Sequence, residues 1–395
     1  MTLNTNFINI SLEMRNMKIT LLMKLRPLTR RKEKMLVEAI DEFKACVNEW
    51  LKAIDELGEK PNRRNLHNFA YQRIREMFNL HSNVIQDAMN LAIEIWRSWN
   101  KNEGDKPVFD SDCIYFKGVD VKIENDGLIV PLKPRERVYL PLYVRKYHRR
   151  CLQYKHGRVI ITKRGNEFYA CISVNIPEKE PFEPQGFLGV DFGYYNIIVV
   201  ADDKGREIMR VQGDELIQRK EYYEKLRARR QQRLMKVFGV KDKSLGNRDR
   251  NYVNDLNHKI AKELVLTAKR MRKVIVIERL KGLKRNGSNK NKKIRKILHR
   301  WSYHDLIQKI KYKAKLEGVL VMEVSPRNTS KNCSKCGYVY KRFKNQRLFH
   351  CPNCGSVIDR DLNASINIAR KGMEEFNKRA FLLALKSEVS SPQGG

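Results

Sequence analysis

The chain has 395 residues, of which 42% are hydrophobic and 9% aromatic, so it contains enough apolar material for two or three folded domains and is not a disordered chain. Its 80 lysines and arginines outnumber its 45 acidic residues, and a formal charge of +35 predicts a polyanionic partner, usually nucleic acid. There is no run of 18 apolar residues, and residues 1–16 have too few consecutive apolar residues for a signal peptide, so we expect a cytoplasmic protein without a membrane partner.

The amino-terminal half predicts a β domain with a helical insertion. A first strand, "MKITLLMKLRP", begins at Met17, and period-two segments from about 107 to 180 predict further strands, with a hairpin at Gly165-Asn166. Between them, two helical regions carry apolar stripes that we interpret as core: Leu36, Ile40, Phe43, Val47, Trp50, Ile54 and Leu57, then Phe69, Met77, Val84, Leu91, Ile95 and Trp99. The proline-rich stretch 177–186 predicts a domain boundary.

The carboxyl-terminal half predicts an α/β domain. "GFLGVDFGYYNIIVVADDKGREIMRV" indicates a three-stranded meander, and basic helices follow at about 214–237 and 248–272. A short apolar strand then ends at Glu278, and residues 281–300, with nine Lys/Arg and no acid, predict a flexible lid or loop. A helix from Trp301 to about Glu317, another apolar strand and a final helix from Asp359 complete the pattern.

Three carboxylates interrupt or end these buried elements. Asp191 lies inside "LGVDFG", Glu278 ends "VIVIE", and Asp361 lies in the first turn of the last helix. A carboxylate in a buried strand is unfavourable unless a partner or a metal compensates for its desolvation. The element order is that of ribonuclease-H-like domains, in which the first and fourth strands are parallel neighbours joined by a crossover. The carboxylates of Asp191 and Glu278 would therefore lie side by side, and the last helix could add a third.

A set of three oxygen ligands suits Mg²⁺ or Mn²⁺. Two such ions, about 4 Å apart, would activate water and stabilise the leaving oxygen of a phosphodiester. On this hypothesis Asp191 bridges the ions, while Glu278 and Asp361 each hold one side.

Each acid also has a structural interpretation. Asp191 could be a turn or salt-bridge residue, and Glu278 could pair with Arg279 or Lys281. Asp361 could be a favourable first-turn charge, although Asp359 is the better candidate for the helix N-cap.

Two CxxCG knuckles predict a second metal site. Cys333, Cys336, Cys351 and Cys354, with 14 residues between the pairs, have the spacing of a zinc ribbon. Four thiolates close the coordination sphere, so one structural Zn²⁺ is expected rather than a catalytic or redox site. The intervening "YVYKRFKNQR" mixes aromatic and cationic residues, which is typical either of base stacking with phosphate contact or of a solvated ribbon edge.

The motifs "GVDFG", "IERLKGL", "SPRNTSKNCSKCG…HCPNCG" and "DRDLNASINIA" together resemble the TnpB family of insertion-sequence proteins, long labelled OrfB transposases. The resemblance extends from about 187 to 371, and before that it is architectural. By position, Asp191, Glu278 and Asp361 match the catalytic acids of the family's RuvC-like nuclease. The resemblance therefore assigns the catalytic role to Asp361 and leaves Asp359 as the helix N-cap.

The resemblance implies a multidomain α+β fold. It combines an RNase H-like (RuvC-like) α/β nuclease domain carrying an inserted zinc ribbon with an N-terminal β-barrel (wedge) domain carrying an inserted helical recognition domain. The expected ranges are 1–27 for the leading segment and first wedge strand, 28–105 for the recognition helices, 106–182 for the wedge, 183–325 and 358–380 for the nuclease, 326–357 for the zinc ribbon and 381–395 for a disordered tail.

It also implies a function. The expected activity is RNA-guided cleavage of double-stranded DNA next to a short motif, with two Mg²⁺ (or Mn²⁺) ions and a guide RNA from the transposon end. Such a protein would be cytoplasmic and nucleoid-associated in a bacterium or archaeon. The alternatives are a guided DNA-binding repressor that does not cleave, which the intact Asp-Glu-Asp set disfavours, and a transposase that joins DNA strands, which the placement of the ribbon disfavours.

Overall fold

The structure is a computed structural model that describes residues 16–102, 104–193, 195–239, 248–279, 303–340 and 347–389. The chain divides into two compact units, Met14–Pro177 and one that contains Glu178–Gly395. The division falls inside the proline-rich stretch 177–186, five residues before the expected boundary at 182/183. A search of the described residues found no helix of the length and apolarity needed to cross a bilayer. The predicted lid, 281–300, lies outside the described residues.

The helical part of the first unit follows strand β1 (Asn16–Lys24) and contains α1 (Arg30–Leu57), α2 (Arg63–Met77) and α3 (Ser82–Asn102). Helix α1 begins after Thr29, whose side chain accepts a hydrogen bond from the Lys32 amide, and ends at Gly58 in the left-handed conformation that favours glycine.

The prediction of one continuous apolar stripe over the second helical region is wrong, because the helix is interrupted between α2 and α3. Leu80 is fully buried at the break, and the His81 amide bonds to the Leu132 carbonyl instead of continuing a helix. Phe69 and Met77, predicted as core, are exposed, because Leu66, Ala70 and Ile74 form the buried face of α2.

The β part of the first unit consists of two sheets. Strands β2 (Cys113–Phe116), β3 (Lys122–Glu124), β4 (Gly127–Lys133), β5 (Glu136–Pro141), β6 (His156–Arg164) and β7 (Glu167–Pro177) accompany one short helix, α4 (Lys146–Leu152). The sheet orders are β1-β7-β6-β2 and β3-β4-β5, and β1 pairs antiparallel with β7, as expected if the helices are an insertion. The predicted β-barrel is not a continuous ladder in the described residues. Only the isolated bridge Leu25–Leu142 links the ends of β1 and β5, where Pro141 lacks an amide donor.

The second unit is built on one five-stranded sheet. Its strands are β8 (Phe187–Phe192), β9 (Asn196–Asp202), β10 (Glu207–Gln212), β11 (Val274–Glu278) and β12 (Val321–Val324), in the order β10-β9-β8-β11-β12. The first three form the predicted antiparallel meander, and β11 is parallel to both β8 and β12. Helices α5 (Asp214–Phe238), α6 (Arg248–Arg270) and α7 (Tyr303–Glu317) connect them. The first and fourth strands are therefore parallel neighbours, as the element order predicts.

The unit ends with the cysteine segment, the short strands β13 (Leu348–His350) and β14 (Val357–Asp359), and the long helix α8 (Arg360–Val389). Helix α8 extends nine residues past the predicted end at 380, so the predicted tail 381–395 is helical through Val389. The final residues, 390–395, lie outside the described residues.

Strand alternation gives the central sheet two different faces. On one face Leu188, Val190 and Ile277 pack with α6 and α7. On the other face Val274 and Val276 pack with Ile368 and Ala369 of α8. Every second residue of β8 and β11 therefore faces α8, and this parity decides where the two strand carboxylates lie.

Candidate functional site

Glu278 ends β11, and Asp191 lies one residue before the end of the adjacent parallel strand β8. The register pairs Ile277 with Val190, so the next residues, Glu278 and Asp191, stand side by side at the carboxyl-terminal edge of the sheet. Glu278 has the same parity as Val276, which packs against α8. Both acids therefore lie on the α8 side, as the element order predicts.

Glycine allows α8 to approach this edge closely. A Cβ on Gly189 would lie 2.0 Å from the Ser365 carbonyl oxygen and 2.4 Å from the Ala369 amide nitrogen, so only glycine fits where the helix crosses β8. Gly189 shares the face of Asp191 two residues later. The contact thus brings the first turns of α8 next to the strand carboxylates.

Two aspartates at the start of α8 have different roles. Asp359 caps the helix, because its Oδ1 accepts hydrogen bonds from the amides of Asp361 (3.1 Å) and Leu362 (3.0 Å), which confirms the predicted cap. Asp361 is buried, and its Oδ2 accepts a 2.8 Å hydrogen bond from the side-chain amide of Asn196. Asp361 therefore extends back to the sheet at β9 rather than toward solvent.

The three carboxylates share one electrostatic environment. Burial raises the pKa of Asp191 well above its usual range, and the negative charges of Asp361 and Glu278 raise it further, while the guanidinium of Arg360 opposes them. Burial also raises the pKa of Glu278, against a 2.5 Å hydrogen bond donated by the Thr329 hydroxyl and the charge of Lys371. Ionised carboxylates are unfavourable in such a group, so it favours a bound cation.

The donor set could hold hard divalent cations, since its ligands are carboxylate oxygens. Among the described residues, the four cysteines are the one group of three or more possible ligands whose donor atoms all lie within 4.8 Å of one another. The three acids are therefore spaced more widely than the shell of a single ion. Water and phosphate oxygens usually complete the shells of such ions.

Several neighbours of the acids were missed by the sequence reasoning. Asn196 and Thr329 hold Asp361 and Glu278, and Arg360 pairs with Asp361 at 3.1 Å. Tyr303 also lies near the acids, its ring packed edge-on against Phe192, and burial and the charges of Asp191 and Asp361 raise the pKa of its phenol. Only Asn196 had a sequence signal, as a lone amide opening the apolar strand "NIIVVAD".

The four predicted cysteine ligands converge. Sulfur atoms of Cys333 and Cys354 lie 3.7 Å apart, and those of Cys336 and Cys351 lie 3.5 Å apart. Both knuckles have the same backbone, in which Gly337 and Gly355 adopt positive φ (77° and 65°) and donate to the carbonyls of the first cysteines at 2.8 and 3.0 Å. Backbone amides then bond to the sulfurs, which lowers the pKa of Cys336 to about 6. The arrangement could hold one metal ion in a closed thiolate shell.

A short hairpin lies beside this centre. Strands β13 and β14 pair antiparallel on either side of the second cysteine pair, so they flank Cys351 and Cys354. Residues 341–346, between the two cysteine pairs, lie outside the described residues.

Helix α8 connects the cysteine centre to the acids. The side chain of Asn363 accepts from the Ser334 amide and donates to the Asn332 carbonyl, each at 2.8 Å. Asn367 donates to the same carbonyl of Asn332 at 2.8 Å. These contacts begin two residues after Asp361, so the cysteine segment and the third carboxylate are held by the same two turns of helix.

Comparison with known proteins identifies the family. The chain is 30% identical over 269 residues to the TnpB-like protein MJ0751 of Methanocaldococcus jannaschii, covering 64% of this chain and 93% of the relative. The chain belongs to the TnpB-like proteins. This result confirms the resemblance drawn from the sequence motifs.

Other relatives of this TnpB-like chain are CRISPR-associated proteins. It is 24% identical over 375 residues to the CRISPR-associated endodeoxyribonuclease Cas12f1 of Sulfoacidibacillus thermotolerans, covering 83% of this chain and 85% of the relative. A solved Cas12f1, in a complex with sgRNA and target DNA, superposes with a TM-score of 0.62 at 15% identity over 90% of this chain and 99% of the solved chain, and so shares its fold.

A family profile described as "Cas12f1-like, TNB domain" matches residues 303–368 of this TnpB-like chain. The matched range runs from α7 through the cysteine centre into α8. It includes Asp361 and all four cysteines, but neither Asp191 nor Glu278.

Proposed function

We propose that this TnpB-like chain is an RNA-guided DNA endonuclease whose RuvC-like (RNase H-like) site consists of Asp191, Glu278 and Asp361. The observation that carries the proposal is the convergence of three acids, far apart in sequence, on the α8 side of one sheet edge. Such a group is electrostatically unfavourable by itself, and two Mg²⁺ or Mn²⁺ ions would compensate for its charge.

The residues around the acids orient them for this role. Bound divalent ions would supply Lewis-acid stabilisation and an activated water for in-line displacement at a phosphodiester. The charges of both Asp361 and Glu278 act on Asp191, which suits a bridging ligand. Asn196 orients Asp361, and Thr329 orients Glu278, so each flanking ligand has a neutral hydrogen-bond donor that fixes it without competing as a cation.

The proposed partners are a guide RNA from the transposon end and double-stranded target DNA next to a short motif. The relatives named as endodeoxyribonucleases and the fold shared with a Cas12f1 solved with sgRNA and target DNA support this proposal. Base pairing would provide sequence specificity, while a chain of charge +35 would hold the nucleic-acid backbones. The first unit would be the wedge with its recognition helices, and residues 326–357 a zinc ribbon that contacts the target.

We infer that the cysteine centre holds one structural Zn²⁺. Four thiolates with amide donors turned toward sulfur are the ligand type and environment that zinc prefers, and a closed shell leaves no position for catalysis. His350 is exposed and is not among the four clustered ligands.

The Asp191→Ala variant tests the nuclease proposal. Protein co-purified with its RNA is incubated with a plasmid that carries the target and the adjoining motif, and cleavage is measured with Mg²⁺. Cleavage should fall at least ~10³-fold because the central ligand is lost, whereas RNA binding should stay within about twofold.

The matched control is Asp255→Ala, which removes an exposed aspartate from α6 and should cleave normally. Loss of RNA binding in Asp191→Ala would contradict the assigned role. A wild-type chain that binds target DNA without cutting would favour the repressor, and one that joins DNA ends would favour the strand-transferring transposase.

A further inference from the structure

A polar cleft with a volume of about 320 Å³ lies in the first unit, apart from the carboxylates and the cysteines. One wall is the face of α3 that carries Asp87, Asn90, Glu94 and Arg97, whose spacing of three or four residues puts them on one side of the helix. Lys117 and Arg158, from the segment after β2 and from β6, contribute to the rest of the lining. The cleft is therefore rich in cations, but it also contains a buried acid.

The floor of the cleft is held in place by its own contacts. Arg158 forms a two-pronged pair with Glu94, at 2.8 and 3.2 Å, and its guanidinium lies 5.4 Å from the ring centre of Tyr115. The backbones approach closely here, because a Cβ on Gly118 would lie 2.4 Å from the Gly157 carbonyl oxygen. Arg158 is thus already engaged, and it shapes the cleft more than it offers a free charge.

Two charged groups in the cleft remain open to a ligand: Asp87 is only weakly compensated, and Arg97 has no partner in the described part of the chain. Asp87 is 9% exposed, and its Oδ2 accepts from the Lys117 amide at 2.9 Å, but the nearest charge to Oδ1 is the Lys117 ammonium at 3.9 Å. Burial raises the pKa of Asp87 to about 6, so the carboxylate is poorly compensated. Arg97 is exposed and has neither an ion pair nor a hydrogen bond within the described part of the chain.

We propose that this cleft binds one unpaired RNA nucleotide, with its phosphate on Arg97 and the donor edge of its base on Asp87 and Asn90. Asp87 and Arg97 are ten residues apart on α3, which is about 15 Å along the helix axis. The phosphate and the base would therefore occupy separate ends of the cleft. An arginine fork suits phosphate, and an ionised carboxylate accepts only, so it selects a base edge that donates.

Guanine fits this chemistry better than uracil does. Its imino and amino groups are adjacent donors, and Asn90 can supply a donor or an acceptor beside the carboxylate. Uracil presents one imino donor between two carbonyl oxygens, which a carboxylate repels. The proposal rests on the proposed function only in taking RNA as the partner, and it assigns a base-selective contact to a protein otherwise expected to hold RNA by its backbone.

Calorimetric titration tests the proposal. The full chain, freed of nucleic acid, is titrated with guanosine 5′-monophosphate, uridine 5′-monophosphate and inorganic phosphate at 0.3 M salt, where weak surface binding of anions is screened. The guanosine nucleotide should bind saturably and at least about tenfold more tightly than either of the others. Arg97→Ala and Asp87→Asn should each weaken it about tenfold or more, because each removes a hydrogen bond to a charged group.

Lys101→Ala is the matched control, since it removes one exposed cation from the same helix, one turn beyond the cleft, and should change the affinity less than twofold. Arg97→Ala alters an exposed residue, so its result does not depend on the folding of the Asp87 variant. Equal binding of inorganic phosphate would overturn the proposal in favour of a plain anion site, and so would equal binding of the uridine nucleotide or equal effects of Arg97→Ala and Lys101→Ala. Asp191→Ala should titrate like wild type, so failure of the nuclease proposal and failure of this one give different results.

Discussion

At the scale of single residues, the three carboxylates differ in what holds them. Asp361 is held by a buried amide, Glu278 by a hydroxyl, and Asp191 by the strand backbone itself, with two like charges nearby. A neutral donor orients a carboxylate while leaving its charge for a metal ion, whereas an ammonium or guanidinium would compete for it. The Arg360 guanidinium lies 3.1 Å from Asp361, so a metal ion would compete with it for this carboxylate.

Asn196→Ala should lower the proposed cleavage about 10- to 100-fold, because Asp361 would lose the donor that orients it. The readout is the Mg²⁺ concentration that gives half-maximal cleavage, which should rise in the variant. Cleavage at saturating Mg²⁺ should recover more than cleavage at limiting Mg²⁺.

Asn48→Ala provides the comparison, since Asn48 makes similar side-chain bonds to the Phe109 backbone in the other unit. It should leave the Mg²⁺ requirement unchanged. A purely structural role for Asn196 would lower thermal stability and leave its Mg²⁺ requirement like that of wild type.

At the scale of elements, helix α8 organises the second unit. It packs on the face of the sheet that carries both strand carboxylates, contributes the third, and binds the cysteine segment through Asn363 and Asn367. Gly189 sets how closely the helix approaches. One packed contact therefore positions groups from three distant parts of the sequence.

Gly189→Ala should destabilise the second unit by about 1–3 kcal/mol or more and reduce cleavage, because the added methyl would meet the backbone of α8. Chemical denaturation gives the free energy of unfolding. Gly104→Ala is the control, since a Cβ there would meet nothing within 4 Å. Equal stability of the two variants would show that α8 packs elsewhere.

The cysteine centre should bind about one zinc per chain, which elemental analysis of purified protein measures. Cys351→Ser should lose most of that zinc and lower the stability of the second unit, since metal affinity contributes directly to folding. Cys171→Ser, which alters a thiol outside the cluster, should retain it. Absence of zinc from the wild-type protein, or iron in its place, would refute the assignment.

At the scale of the whole molecule, the chain combines two compact units with a large net positive charge. The excess of 35 positive charges is spread over a chain of 395 residues, so compactness is opposed by self-repulsion until a polyanion binds. Nucleic acid would relieve this repulsion in both units, which makes the assembly with RNA the expected stable form of the protein.

Binding of the proposed guide RNA should therefore depend steeply on salt. If six to ten phosphates are contacted, the affinity should fall roughly 10³- to 10⁵-fold between 50 and 200 mM salt, because fewer counterions are released at high salt. Filter binding or fluorescence anisotropy over that range measures the slope. A flat dependence would mean that the positive charge is neutralised within the protein.

The sequence by itself determined the family, the element order of the second unit, the grouping of the four cysteines and the N-cap at Asp359. These features are local, because spacing, apolar runs and capping preferences act within a few residues. The three acids could also be nominated, because a carboxylate at the end or in the middle of an apolar strand is conspicuous in the sequence alone.

Only the tertiary structure decided which residues meet. Asn196 and Thr329 approach their carboxylates across 165 and 51 residues of chain, and no local pattern encodes such a distance. The same holds for the break between α2 and α3, where burial of Leu80 outweighs helical periodicity, and for the exposure of Phe69. Packing between distant segments is a property of the folded surfaces, and it sets the geometry that the chemistry requires.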